Sequence, residues 1–240
     1  MKKLLLLLFL PLFINAQSDS EYNSVYDEFE NGNWDQSLNL INNLLSNYPN
    51  SAHLHFLKGH VFDEKENTYS ARISFEKAIK LNSDHPLANG RLAWIYFNEE
   101  KFEDAISFFK KHLSNNSDDL EIVSNVEFNL AACYTNLKNF KEAINHSTNV
   151  ISINKNVELV ARSYWNRGIM KNELSRASGC DDLNKGYDMF MAASKRNEQW
   201  GFTRLNVDYM YNSYCDSKKY NNYRFKLYKK EAKRYYREAF

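Results

Sequence analysis

The stretch PLANGRLAWIYFNEEKFEDAISFFKKHLSNNSDD, residues 86–119, decides the fold. It reads as a pair of helices, with Leu92, Ala93 and Tyr96 on the first and Ala105 and Phe109 on the second. A small residue on each helix lets the two backbones approach closely, while the aromatic rings fill the wider gaps beside them. Residues 52–85 repeat the layout with Gly59, Phe62, Ala71, Phe75 and Ala78.

Working outward, Ser37, Ala71, Ala105, Ala143 and Cys180 fall at one position, with spacings of 34, 34, 38 and 37 residues. Gly59, Ala93, Ala131 and Gly168 form a second series spaced by 34, 38 and 37. The irregular spacings coincide in the two series, so the added residues are expected between units and not inside them. Pro49 and Pro86 lie at the junctions, where a missing amide and a fixed φ do no harm. Asn31, Gly32 and Asn33 read as a tight turn between the two helices of the first unit. Each pair alone leaves one face bare, and stacking the next pair on it buries that face.

A period of about 34 residues with this register resembles the tetratricopeptide repeat. The resemblance implies an all-α fold, a right-handed superhelical solenoid of antiparallel helix pairs. It places units at 18–51, 52–85, 86–119, about 124–157 and 161–195, with a partial unit at 196–215. The fifth unit departs from the pattern: Arg167 and Lys171 stand where apolar residues are expected. Its second helix reads Ser178-Gly179-Cys180-Asp181-Asp182-Leu183, which is similar to the closing repeats of exported Bacteroidetes members that carry a further Cys near the end. That similarity implies a Cys180–Cys215 disulfide, with two separate core thiols as the alternative. Cys133, among Leu130, Ala131, Ala132 and Tyr134, reads as a free core thiol.

The chain has 240 residues, 43% hydrophobic and 25% charged, with seven Gly and three Pro, which excludes collagen-like and wholly disordered classes. A net charge of +1 excludes a polycation built for nucleic acid. Lys2 and Lys3 precede an apolar run from Leu4 to Ile14 that ends at Asn15-Ala16-Gln17, the layout of a signal peptide over residues 1–16. The mature protein is therefore expected to be exported, periplasmic or secreted. Residues 216–240 carry +6 and residues 17–215 about −7. Within this basic segment Tyr220, Tyr223, Leu227, Ala232, Tyr235 and Ala239 make one apolar stripe of a C-terminal amphipathic helix. It reads either as a cap on the last repeat or as an attachment to an anionic envelope surface.

In the family that the repeats resemble, the first helix of each unit lines a concave groove. Mapped onto this chain, the groove-facing set includes Tyr22, Tyr26, Phe56, His60, Arg91, Trp94, Phe128, Asn129, Arg162, Trp165 and Asn166. Rigid aromatics and carboxamides suit an extended peptide or protein segment, although helical spacing alone does not separate groove from core. The Lys, Asn and Arg clamp that some members use for a C-terminal carboxylate is not reproduced, since Tyr22 and Tyr26 stand at its first positions. His53 and His60 lie two turns apart on one helix, about 10 Å, too far for one zinc. No phosphate loop, Cys-x-x-Cys pair or His-Glu-x-x-His helix is present, so neither a cofactor nor an enzyme is expected.

Overall fold

The computed structural model describes residues 19–154, 156–175, 178–195 and 215. The signal segment, the partial sixth unit apart from Cys215, and the basic segment lie outside the described residues. Ten α-helices, and no strand, are found among those described: α1 Asp19–Glu30, α2 Trp34–Asn47, α3 Ala52–Glu64, α4 Thr68–Leu81, α5 Pro86–Asn98, α6 Phe102–Ser114, α7 Leu120–Asn136, α8 Phe140–Ile153, α9 Val157–Leu174 and α10 Cys180–Lys195. They pair as consecutive hairpins of the repeat-solenoid type. Two compact units divide between Ile95 and Tyr96, near the end of α5. No described helix is long and apolar enough to cross a membrane.

Both small-residue series are buried. Ser37, Ala71, Ala93, Ala105, Ala131 and Ala143 are fully enclosed, and Cys180 is nearly so. Their smallness is required by what faces them. A Cβ on Gly59 would stand 2.6 Å from the ring of Phe75, and one on Gly168 would stand 2.8 Å from the carbonyl oxygen of Gly179. In the first case a large ring occupies the space; in the second, two backbones do.

The connections are set by caps and by a repeated turn. Ser51, Asn67, Asp119, Asn139 and Asn156 accept the first free amides of α3, α4, α7, α8 and α9. The turns inside the first four hairpins each contain one residue of positive φ: Gly32 at 75°, Glu66 at 57°, Glu100 at 59° and Lys138 at 57°. After each of these the next amide reaches back to the carbonyl five residues earlier, as from Asn67 to Phe62 at 2.9 Å and from Asn139 to Tyr134 at 2.8 Å. This closes the preceding helix in a Schellman-type turn. The turn read at Asn31-Gly32-Asn33 is thus one of four, and the other three place charged residues in the left-handed region.

The added residues, in the gaps before the fourth and fifth units, are helical. α3 and α5 have 13 residues, whereas α7 has 17 and α9 has 18. The fourth hairpin begins at Leu120 and the fifth at Val157, so the extra residues are taken up as added length at the starts of α7 and α9. Four residues are close to one 3.6-residue turn, so the helix grows without rotating its buried face.

The fifth hairpin explains its two cations. Arg167 donates to both carboxylate oxygens of Asp182 at 2.8 and 2.7 Å, and Lys171 Nζ donates to Asp182 at 2.7 Å. The Asp182 side chain is 6% exposed. Burial raises its pKa, but hydrogen bonds and charge from Arg167 and Lys171 outweigh that and bring it below the usual carboxylate range. Cys180 and Cys215 stand at disulfide spacing, with Cα atoms 5.8 Å apart, in a core cluster with Trp165, Ile169, Met170, Leu183 and Phe190. Cys133 is free and buried, and burial pushes its thiol up to about 12 despite an opposing backbone hydrogen bond.

Two outcomes are expected in urea denaturation. Glu66→Gly and Lys138→Gly each raise stability by about 1 kcal/mol, by relieving the left-handed conformation. Asp182→Ala lowers it by about 3 kcal/mol at neutral pH, because Arg167 keeps its burial and loses its acceptor. In the parent protein the Asp182 contribution is present above the ordinary carboxylate range and is lost as pH falls through the depressed folded value. The variant lacks that acid limb.

Candidate functional site

The first helices carry the expected groove residues, and each unit is described by itself. In the unit ending at Ile95, α1, α3 and α5 meet through imidazoles and aromatic rings. Tyr26 Oη and His53 Nε2 share a 2.8 Å hydrogen bond, and the Tyr22 ring lies 5.6 Å from His53. Burial, then Tyr22, pushes the Tyr26 phenol up to about 12. Phe29 stacks on His60 with centroids 4.6 Å apart. Arg91, on α5, reaches α3 twice: Nη2 donates to His60 Nε2 at 2.6 Å, and Nη1 donates to Asp63 at 3.2 Å. A guanidinium has only donors, so His60 accepts through Nε2 and carries its proton on Nδ1.

His85 belongs to the same network, although sequence reading had not singled it out. Its Nδ1 accepts the Ala88 amide at 3.3 Å, so it caps α5, and its ring lies 5.0 Å from Phe56 and 6.1 Å from His53. A histidine just before a helix-initiating Pro86 is a cap position legible in principle, but histidine is not among the usual cap residues. Burial holds all three imidazoles below the usual range. His53 is drawn down to about 4 by burial and then by His85. His60 is drawn down to about 4 by burial and then by Arg91. At His85, burial outweighs an opposing backbone hydrogen bond.

Phe56 corrects the groove assignment. It is 4% exposed, enclosed by His53, His60, His85 and Phe75, so it fills the interior of this wall and presents no surface. Tyr22, Tyr26 and His60 are partly buried, Arg91 is half-buried and Trp94 is 46% exposed.

In the unit from Tyr96 onward, α7 and α9 carry the remaining candidates. Arg162 lies over the Phe128 ring at 4.8 Å and also approaches Glu158 at 3.9 Å. Asn129 and Asn166 stand at equivalent registers, 37 residues apart, like Ala131 and Gly168. Asn166 is half-buried, whereas Asn129 is 8% exposed and so is enclosed, a correction to its groove assignment like that of Phe56. Neither carboxamide has a hydrogen-bond partner among the described residues.

Trp165 is the third correction. It is 7% exposed, its Nε1 donates to the Leu183 carbonyl at 3.3 Å, and it packs on Gly186, where a Cβ would stand 2.9 Å from the indole. The indole belongs to the α9–α10 core because the second helix supplies both a carbonyl and a gap without a side chain. A buried carboxylate was also missed: Glu127 on α7 accepts from His146 Nδ1 at 2.6 Å and from Asn149 at 3.1 Å. Nothing in the local pattern marks it, since its partners come from α8. Among the described residues, no group of three His, Cys, Asp or Glu could hold a metal ion.

The repeats have counterparts in known proteins. Residues 52–85 and 87–119 match one tetratricopeptide repeat profile, and residues 19–51 match another. Among solved structures, the chain is similar to YrrB, described as a TPR protein with an unusual peptide-binding site, at 18% identity and a TM-score of 0.63, over 72% of this chain and 86% of that one. It is similar to MamA from Desulfovibrio magneticus RS-1, at 14% identity and a TM-score of 0.58, over 75% of this chain and 96% of that one. It is also similar to the Pseudomonas aeruginosa pilF protein, at 16% identity and a TM-score of 0.60, over 79% and 78%. At these identities the likeness is one of fold. No curated protein sequence matches the chain.

The burial of the two tryptophans gives opposite expectations. Trp165→Ala lowers unfolding stability by about 3–5 kcal/mol, and Trp94→Ala changes it by less than about 1 kcal/mol. Urea midpoints of the two variants measure the contrast.

Proposed function

We propose that this chain, with tetratricopeptide repeats over residues 19–119, is an exported, non-enzymatic scaffold that binds an extended segment of a protein partner on the faces of its first helices. The observation that carries the proposal is the half-buried Asn166 carboxamide on α9, four residues after Arg162. Asn166 lacks a hydrogen-bond partner among the described residues and lies on the helix whose Arg162 sits over the Phe128 ring of α7 at 4.8 Å. A carboxamide offers both a donor and an acceptor to a peptide backbone. A stacked guanidinium has already lost much of the freedom that binding would otherwise cost. The peptide-binding site named for YrrB agrees in kind.

Export is the reading of residues 1–16, and an oxidising compartment suits a Cys180–Cys215 bridge that ties the last helix to the segment after it. A second reading rests on charge: residues 216–240 carry +6 against about −7 on residues 17–215, which suits attachment of the basic segment to an anionic envelope surface.

A photo-crosslinker placed at Asn125, exposed one turn before Asn129, recovers the partner from the native envelope. Asn166→Ala and Arg162→Ala each weaken its binding by roughly tenfold, with folding retained. Unchanged affinity in a folded Arg162→Ala, Asn166→Ala double variant rejects the groove. Deleting residues 218–240 separates the two readings. Kept partner and kept envelope association reject the tail as the binding element, whereas lost association with a folded domain supports it.

A further inference from the structure

The network of His53, His60 and His85 joins three helices, and two of its hydrogen bonds, at His60 and His85, can be made only by neutral imidazoles. His60 Nε2 accepts from the Arg91 guanidinium, and protonation replaces that bond with two facing cations 2.6 Å apart. His85 Nδ1 accepts the Ala88 amide, and protonation removes the cap of α5 while placing a positive charge at a helix N-terminus. The His53 ring lies 6.1 Å from that of His85, so a second proton there meets the first. We propose that this network is an acid-responsive latch: neutral, it holds α1, α3 and α5 together, and protonated, it releases them.

The groups facing each imidazole favour this direction. Toward His53, α1 presents Tyr22 and Tyr26, α3 presents Phe56, and the link before α5 presents His85. Toward His60, α1 presents Phe29 and α5 presents Arg91. Its own helix adds Asp63, which is engaged by Arg91, and Glu64 at 3.9 Å. These two carboxylates favour the protonated form, but Asp63 is paired with Arg91, and Glu64 acts from farther away and from a side chain 44% exposed. Toward His85, α3 presents His53 and Phe56, and the neighbouring Asp84 is exposed and accepts from the Ser83 hydroxyl. Behind the rings, α4 supplies Phe75 and α2 supplies Trp34, both uncharged. The burial that depresses His53 and His60 to about 4 acts in the same sense. A histidine whose folded pKa lies below its unfolded value stabilises fully above the unfolded value, near 6.5, and loses that contribution as pH falls toward the folded one.

Hydrogen exchange with mass spectrometry on the full chain, corrected for the intrinsic pH dependence of exchange, reads the latch by segment. Between about pH 7.5 and pH 4, α1 and residues 86–95 are expected to lose protection by roughly 10²-fold, while α8 keeps most of its own. The double variant His60→Gln, His85→Asn keeps an acceptor for Arg91 and a cap for α5 without titrating, and its loss should be at least about tenfold smaller. Unchanged protection in the parent at pH 4, or an equal loss in parent and variant, overturns the proposal. Should the variant not fold, histidine NMR titration of the parent decides. Imidazoles still neutral at about pH 5.5 support the latch, and titration near the ordinary value of about 6.5 overturns it.

Discussion

Everything in this chain depends on how closely paired helices approach at their small residues. Where Gly59 faces the Phe75 ring, and where Gly168 and Gly179 bring two backbones together, there is no room for one added carbon. Close approach lets the first helix of a pair lie low on the second, and this fixes which of its residues are enclosed and which remain available. Phe56 and Trp165 are on the enclosed side of that division, and Trp94 is on the open side.

The hairpin repeat was legible because its signal is a spacing and its cause is steric. A small residue recurring every 34 residues has to be small in each unit for the same reason, so the two series could be read without coordinates. The two series place the four added residues between Ala105 and Ala131, but a spacing does not state whether they form a loop or helix. The chain absorbed them as helix in α7, where a full turn keeps Leu130 and Ala131 facing inward. Three of the four left-handed turns were also hidden. Glu66, Glu100 and Lys138 carry no turn signal of their own, and the conformation is imposed by the helices on both sides.

The site was less legible than the fold because its partners come from distant sequence. Trp165 sits in the same register as Phe128, yet Gly186 and the Leu183 carbonyl on the following helix enclose one and leave the other under Arg162. Arg167 and Lys171 looked like decay of the repeat. They are two donors for one buried carboxylate, Asp182, and only the pairing of α9 with α10 reveals it. His85 is similar: alone it is a histidine before a proline, and in place it is the third imidazole of a wall.

The lengthened first helices carry one more consequence. A full turn at the start of such a helix adds about 5.4 Å to its length, and its residues point the same way as those one turn later. The first helix of a hairpin is thus an adjustable length in this chain: α7 exceeds α5 by four residues and α9 exceeds it by five.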